Sequence, residues 1–158
     1  MGLALSTYPA DCFYSEICPE YFARFEADAA AVHGLTPRRL RGAPRRDDVA
    51  DSMISFLRRH VDRVGHKLTP VAHNWTCEAA WLPSLCDCSE IFSPHYVDTM
   101  TETRRAGIRP ATLAAGLGHF GRVINNHHNA LSDSVSCLEL WDCLKNSASA
   151  DPRQSLVP

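Results

Sequence analysis

The stretch from residue 47 to residue 64, DDVADSMISFLRRHVDRV, decides the fold class that this sequence predicts. Its apolar residues recur at helical intervals, and the following share one face: Val49, Met53, Phe56 or Leu57, and Val64. This spacing is the signature of an amphipathic α-helix, because about 3.6 residues complete one turn. The apolar stripe of such a helix must be buried against another element, so we expect a helical core around it.

The same spacing extends along most of the chain. Pairs such as Thr36-Pro37, Thr69-Pro70 and Ser93-Pro94 are typical helix starts, because proline fits the first helical position and the hydroxyl caps an N–H group. No segment alternates with a period of two, as a half-buried strand would. The pattern predicts helices near residues 19–33, 47–64, 70–82, 94–106, 110–130 and 134–145. We therefore expect an all-α fold, a compact bundle of about five to six helices in a single domain over residues 1–145.

Two further predictions concern the last third of the chain. Small residues in the predicted helix 110–130, among them Gly116 and Gly118, would let a neighbouring helix approach closely. The polar stretch 146–158 is expected to form a flexible tail. Its ending, Leu156-Val157-Pro158, resembles the start of a thrombin cleavage site, which indicates that part of the tail derives from cloning.

Composition places the chain among reduced intracellular proteins. The 158 residues are 45% hydrophobic and 22% charged, as in an ordinary globular domain. No apolar run has the length of a membrane helix, and the N-terminus lacks the features of a secretory signal. Seven cysteines without such a signal are expected to remain free thiols, which predicts a cytoplasmic or nuclear location and does not favour a membrane partner.

One group of residues has the chemistry of a metal site. His73 and Cys77 lie four positions apart on a predicted helix, and Cys86 and Cys88 follow in the loop after Pro83. Zinc prefers four nitrogen or sulfur ligands in a tetrahedron, so these four side chains are the candidate zinc ligands. The spacing is not a common structural zinc pattern, and buried cysteines without metal are the alternative.

A basic stretch gives the second candidate site. Residues 37–46 read PRRLRGAPRR, and the surrounding block 36–68 carries nine basic and four acidic side chains. Guanidinium groups bind phosphates through two parallel hydrogen bonds, so the stretch could bind nucleic acid. The alternative is a solvated loop that keeps the domain soluble. The candidate phosphate-binding residues are Arg38, Arg39, Arg41, Arg45 and Arg46.

Our leading hypothesis from the sequence is a non-enzymatic helical domain that regulates another protein. It rests on the predicted bundle and on the absence of phosphate-binding glycine loops, nucleophile elbows and metalloprotease motifs. Four aromatic residues are the candidate anchors for a protein partner, with burial in the core as the alternative: Trp75, Trp81, Phe92 and Tyr96.

Two further hypotheses remain open at this stage. The first is a zinc-stabilised, nucleic-acid-binding regulatory protein that uses the arginine-rich stretch. The second is a small enzyme that depends on a metal or on a reactive cysteine, although the sequence does not favour catalysis. No catalytic residue is assigned.

Overall fold

A computed structural model of the chain describes residues 1–5, 11–20, 26–125 and 128–149. Within these ranges seven helices form: α1 Ala27–His33, α2 Pro37–Leu40, α3 Arg46–Val64, α4 Trp75–Leu85, α5 Thr99–Arg105, α6 Leu113–His119 and α7 Ala130–Ser149. Four short strands accompany them: β1 Gly2–Ala4, β2 Cys12–Tyr14, β3 Val71–Ala72 and β4 Val97–Asp98. None of these helices combines the length and the apolar character needed to cross a bilayer.

The strands make the predicted all-α bundle wrong. β1 pairs with β2 in an antiparallel sheet, with Gly2 opposite Tyr14. β3 pairs with β4 in a parallel sheet, in which Val71 lies opposite Val97 and Ala72 opposite Asp98. Two or three residues are too few to show an alternating pattern, so the sequence contains no periodic signal for these strands. They exist because the rest of the fold brings distant segments side by side.

Several helix boundaries differ from the prediction for the same reason. The predicted helix 70–82 begins with β3, and α4 then continues through Pro83 to Leu85. The predicted helix 94–106 begins with β4 before α5. The predicted helix 110–130 is replaced by α6, a turn at Gly121 with a φ of 70°, and the start of α7, and residues 126–127 lie outside the described ranges. Of the predicted helix 19–33, α1 forms the end, and residues 21–25 lie outside the described ranges.

Helix α3 occupies the segment with the predicted apolar stripe, residues 47–64. It ends at Gly65, whose φ of 76° is a left-handed conformation that glycine adopts without strain. Its buried face packs on the end of α4 and on the loop that follows. We call this cluster the first core, and it contains Ala50, Met53, Phe56, Leu57, Leu85, Cys88 and Ile91.

Helix α7 organises the other half of the molecule. It packs against β1, α5, α6 and β3. Gly116 of α6 permits a close approach, because a Cβ atom there would lie 2.9 Å from Leu140 Cδ2, whereas Gly118 has open space around it. The second core lies between α6 and α7 and contains Ile108, Leu113, Leu117, Cys137, Leu140 and Leu144. The expected tail begins inside α7, and residues 150–158 lie outside the described ranges.

Candidate functional site

The carboxyl ends of β3 and β4 bring polar side chains together. β3 leads into His73 and Asn74, and β4 ends at Asp98 and leads into Thr99. Because the strands are parallel, both ends lie at the same edge of the sheet. We refer to the residues at this edge as the strand-end site.

Asp98 ties the two strand ends together. Its Oδ1 accepts hydrogen bonds from the backbone N–H groups of Asn74, at 2.9 Å, and Met100, at 3.0 Å. Its Oδ2 accepts one from the Thr101 hydroxyl at 3.1 Å. Partial burial acts to raise the pKa of Asp98, but these donors outweigh it and hold the pKa below its usual range. The carboxylate is therefore a charged cap of α5 that also anchors the start of α4.

Thr99 is the buried centre of the strand-end site. Its hydroxyl donates a hydrogen bond to the Ala72 carbonyl at 3.1 Å and lies 3.3 Å from Cys137 Sγ on α7. His73 Nδ1 lies 3.0 Å from the same hydroxyl, and His73 Nε2 lies 3.1 Å from the Ala111 carbonyl. Because a carbonyl only accepts, Nε2 carries a proton. Nδ1 of the neutral ring is then an acceptor, and it competes with the Ala72 carbonyl for the single proton of the Thr99 hydroxyl.

This placement predicts that His73 makes stability depend on pH. Burial holds the pKa of His73 below its usual value. The unfolded chain therefore binds a proton more readily than the native state, and stability falls as the pH drops through about 6.5. Between about pH 7.5 and pH 5.5, we expect the free energy of unfolding to fall less in His73→Gln than in the unchanged protein, as measured by urea unfolding.

His60 provides the internal control for that measurement. Burial also lowers the pKa of His60, so His60 too reduces the free energy of unfolding as the pH falls. Both proteins contain His60, so its contribution is the same in each. The difference between the two proteins therefore isolates His73. Equal losses in both proteins would show that His73 is not held neutral in the native state.

Glu78 faces the strand-end site from the first turn of α4. Its Oε2 atom is buried and accepts no hydrogen bond from the described part of the chain. Burial raises the pKa of Glu78, and the charge of Asp98 adds to this effect. Burial likewise raises the pKa of the Cys137 thiol to about 11, which leaves it a poor nucleophile.

The four candidate zinc ligands do not converge. Cys86 and Cys88 lie together, with their Sγ atoms 3.3 Å apart, whereas His73 is held by Thr99 and Ala111. Cys77 is exposed, and its Sγ accepts a hydrogen bond from the Asn74 side chain at 3.1 Å. Among the described residues no group of three or more histidine, cysteine, aspartate and glutamate side chains is arranged to hold a metal ion. Burial raises the pKa of the Cys88 thiol to about 12, with a further contribution from Cys86.

The arginine segment, residues 37–46, lies on the surface. It consists of α2, a turn and the start of α3, and the Thr36 hydroxyl caps α2 by accepting the Arg39 N–H at 3.2 Å. Leu40 is buried and fixes the segment to the domain, and the Pro44 carbonyl accepts the Cys18 N–H at 2.9 Å. All five arginines of the segment are exposed.

A cleft lies beside this segment. It has a volume of about 440 Å³ and runs between the end of α1 and the start of α7. Its polar lining includes His33, Arg39, His128 and Asn129. Asn129 caps α7, since its side-chain oxygen accepts the N–H groups of Leu131 and Ser132. Such a volume is in the range of small-molecule sites.

The four predicted aromatic anchors do not share one surface. Trp75 stacks on Tyr96, with ring centroids 5.3 Å apart and an interplanar angle of 21°. Phe92 instead packs against the first core. Trp81 lies six residues after Trp75 on α4 and is 41% exposed. A separation of six residues points the two tryptophans in different directions.

Sequence reasoning missed the residues that build the strand-end site, namely Asn74, Asp98, Thr99 and Cys137. The only local signal is a valine-containing pair followed by polar residues, at Val71-Ala72 and again at Val97-Asp98. This signal is too short to separate a strand from the first turn of a helix.

Comparison with known proteins gives a fold match without a sequence match. No protein-family model matches the sequence, and no curated protein matches it. Two solved structures have a TM-score of 0.65 at 14% identity. One is a full-length 3'-exonuclease, for which 87% of this chain and 48% of that chain are covered. The other is a structure described as 3'-end specific recognition of histone mRNA stem-loop by 3'-exonuclease. The match covers 89% of this chain and 65% of that chain.

These matches correct the leading sequence-based description. This chain spans about half to two thirds of the length of the solved chains. The description as an all-α bundle is wrong in its architecture. The chain has the mixed α/β fold that these 3'-exonuclease structures contain.

Proposed function

We propose that this chain binds nucleic acid and that the arginine segment contacts the phosphate backbone. The observation that carries the proposal is that five exposed arginines lie within ten residues on a domain with the fold of 3'-exonucleases. One of the similar structures concerns recognition of an RNA 3' end, which supports nucleic acid as the partner class.

The local structure of the segment suits this role. Leu40 is buried and α2 is capped, so the backbone that carries the arginines is held in place before any ligand binds. Preorganisation reduces the entropy lost on binding. The guanidinium groups present planar donors that match phosphate oxygens. The neighbouring cleft has His33 and Arg39 in its wall.

Two of the arginines already have acidic neighbours. Arg39 Nε donates to Glu16 Oε2 at 2.9 Å, and Arg46 Nε lies 3.6 Å from Asp47 Oδ1. The side chains of both arginines are more than half exposed. The Arg46–Asp47 pair is exposed on both sides and contributes little free energy, so a phosphate can replace it at small cost. The Glu16 side chain is only 14% exposed, so displacing Arg39 from it costs more.

Replacing all five arginines of the segment by glutamine tests the proposal. The ligands are a fluorescently labelled single-stranded RNA and a duplex of the same sequence, and EDTA is included so that metal-dependent cleavage cannot imitate loss of binding. We expect the unchanged protein to bind and the variant to lose most of its affinity, because phosphate contacts dominate such affinity. Fluorescence anisotropy measures the affinity of each protein for each RNA.

A matched control replaces two exposed cations that pair within their own helices. Arg105 pairs with Glu102 and Lys145 pairs with Asp142. The variant with Arg105→Gln and Lys145→Gln is expected to retain its affinity. Absence of binding by the unchanged protein would refute the proposal, and an equal loss per removed charge in both variants would show that net charge matters rather than the arginine segment.

A further inference from the structure

The stacked pair of Trp75 and Tyr96 differs from core aromatic pairs in its exposure to solvent. Tyr96 is 54% exposed although its ring lies against Trp75. Neither residue belongs to the first or the second core. The structure therefore seats the Tyr96 ring against Trp75 while about half of the residue's surface stays open to a ligand.

The backbone explains how the pair is positioned. Asn74, immediately before Trp75, adopts a left-handed conformation with a φ of 75°. This turn is held by the bond from the Asn74 N–H to Asp98 Oδ1 at 2.9 Å. Asp98 lies two residues after Tyr96, so the same hydrogen bond links the backbone segments that carry the two rings. An aromatic surface fixed in this way loses little conformational entropy when a ligand stacks on it.

We propose that the Trp75–Tyr96 pair is a stacking platform for an unpaired nucleobase. The inference rests on the proposed nucleic-acid binding and narrows its ligand to strands with accessible bases. Every nucleobase has an aromatic face, so stacking of this kind tolerates sequence variation. Interior bases of a duplex stack on both neighbours and cannot reach an outside ring, and only the terminal pairs expose a face. The platform therefore favours single strands or single-stranded ends over blunt duplexes.

Tyr96→Ala removes the exposed ring of the platform. For a labelled RNA of about 16 nucleotides we expect roughly a tenfold loss of affinity, because base–aromatic stacking has that order of effect. The affinity for a blunt duplex of the same sequence should fall much less, because only its terminal pairs expose a face. Tyr96→Phe retains the ring and should bind the single strand as the unchanged protein does.

Trp81→Ala is the matched control, because Trp81 is an exposed aromatic residue on the same helix as Trp75. It should leave the affinity for the single strand unchanged. Circular dichroism and urea unfolding of each variant establish that it is folded before binding is compared.

The outcomes separate this inference from the proposed function. If the unchanged protein binds and Tyr96→Ala binds the single strand equally well, the platform is wrong and the proposed function stands. The same holds if Trp81→Ala loses as much affinity as Tyr96→Ala. Binding to neither RNA overturns both. A selective loss of single-strand affinity in Tyr96→Ala, with Tyr96→Phe unaffected, supports the platform.

Discussion

Leu140→Ala is expected to lower the free energy of unfolding by about 2–5 kcal/mol, the range for large-to-small changes at buried leucines. Leu140 is 0% exposed and lies in the second core beside Leu117, which is also 0% exposed. Its side chain fills the space opposite Gly116, where α6 and α7 approach closely. Removing it leaves a cavity between two helices that cannot easily collapse, so the effect should be near the upper part of that range.

Urea denaturation followed by circular dichroism measures this change, provided that the dependence on urea concentration is the same in both proteins. Val123→Ala is the control, because Val123 is 78% exposed and an exposed substitution usually changes stability by less than about 0.5 kcal/mol. A loss below about 1 kcal/mol for Leu140→Ala would show that α6 and α7 do not pack as described.

Salt should weaken nucleic-acid binding strongly. Each arginine that neutralises a phosphate releases bound counterions, so the affinity falls steeply with ionic strength. With five such contacts, raising salt from about 50 to about 200 mM is expected to lower the affinity for a single strand by about a hundredfold. The effect on a duplex should be a few times larger, because its charge density is higher.

The variant with five glutamines should show a much flatter dependence on salt, measured by anisotropy at four or five salt concentrations. The variant with Arg105→Gln and Lys145→Gln should show the same slope as the unchanged protein. The same steep slope in the variant with five glutamines would mean that other cations contact the phosphates, and the arginine segment would lose its assigned role.

Much of the candidate nucleic-acid interface could be predicted from residue type alone. The five arginines form a charged run that no burial requirement explains, and all five are exposed. The aromatic residues could be singled out but not paired. That Trp75 lies on Tyr96 depends on the Asn74 turn and on the pairing of β3 with β4, which join segments more than twenty residues apart. The zinc hypothesis has the right residue types without the geometry. Its four candidate ligands are suitable by chemistry, but they do not converge in space.

The sequence by itself determined the elements whose signals are local. The apolar face of α3, the threonine before Pro37 and the glycine after Val64 act within one or two turns of chain, so they can be read without knowing the fold. Only the tertiary structure decided the strands and the strand-end site. A two-residue strand such as Val71–Ala72 has no stability of its own, and it forms because α7 and α4 pack around it and hold it against Val97–Asp98. The mixed α/β architecture therefore depends on long-range packing that periodicity does not record.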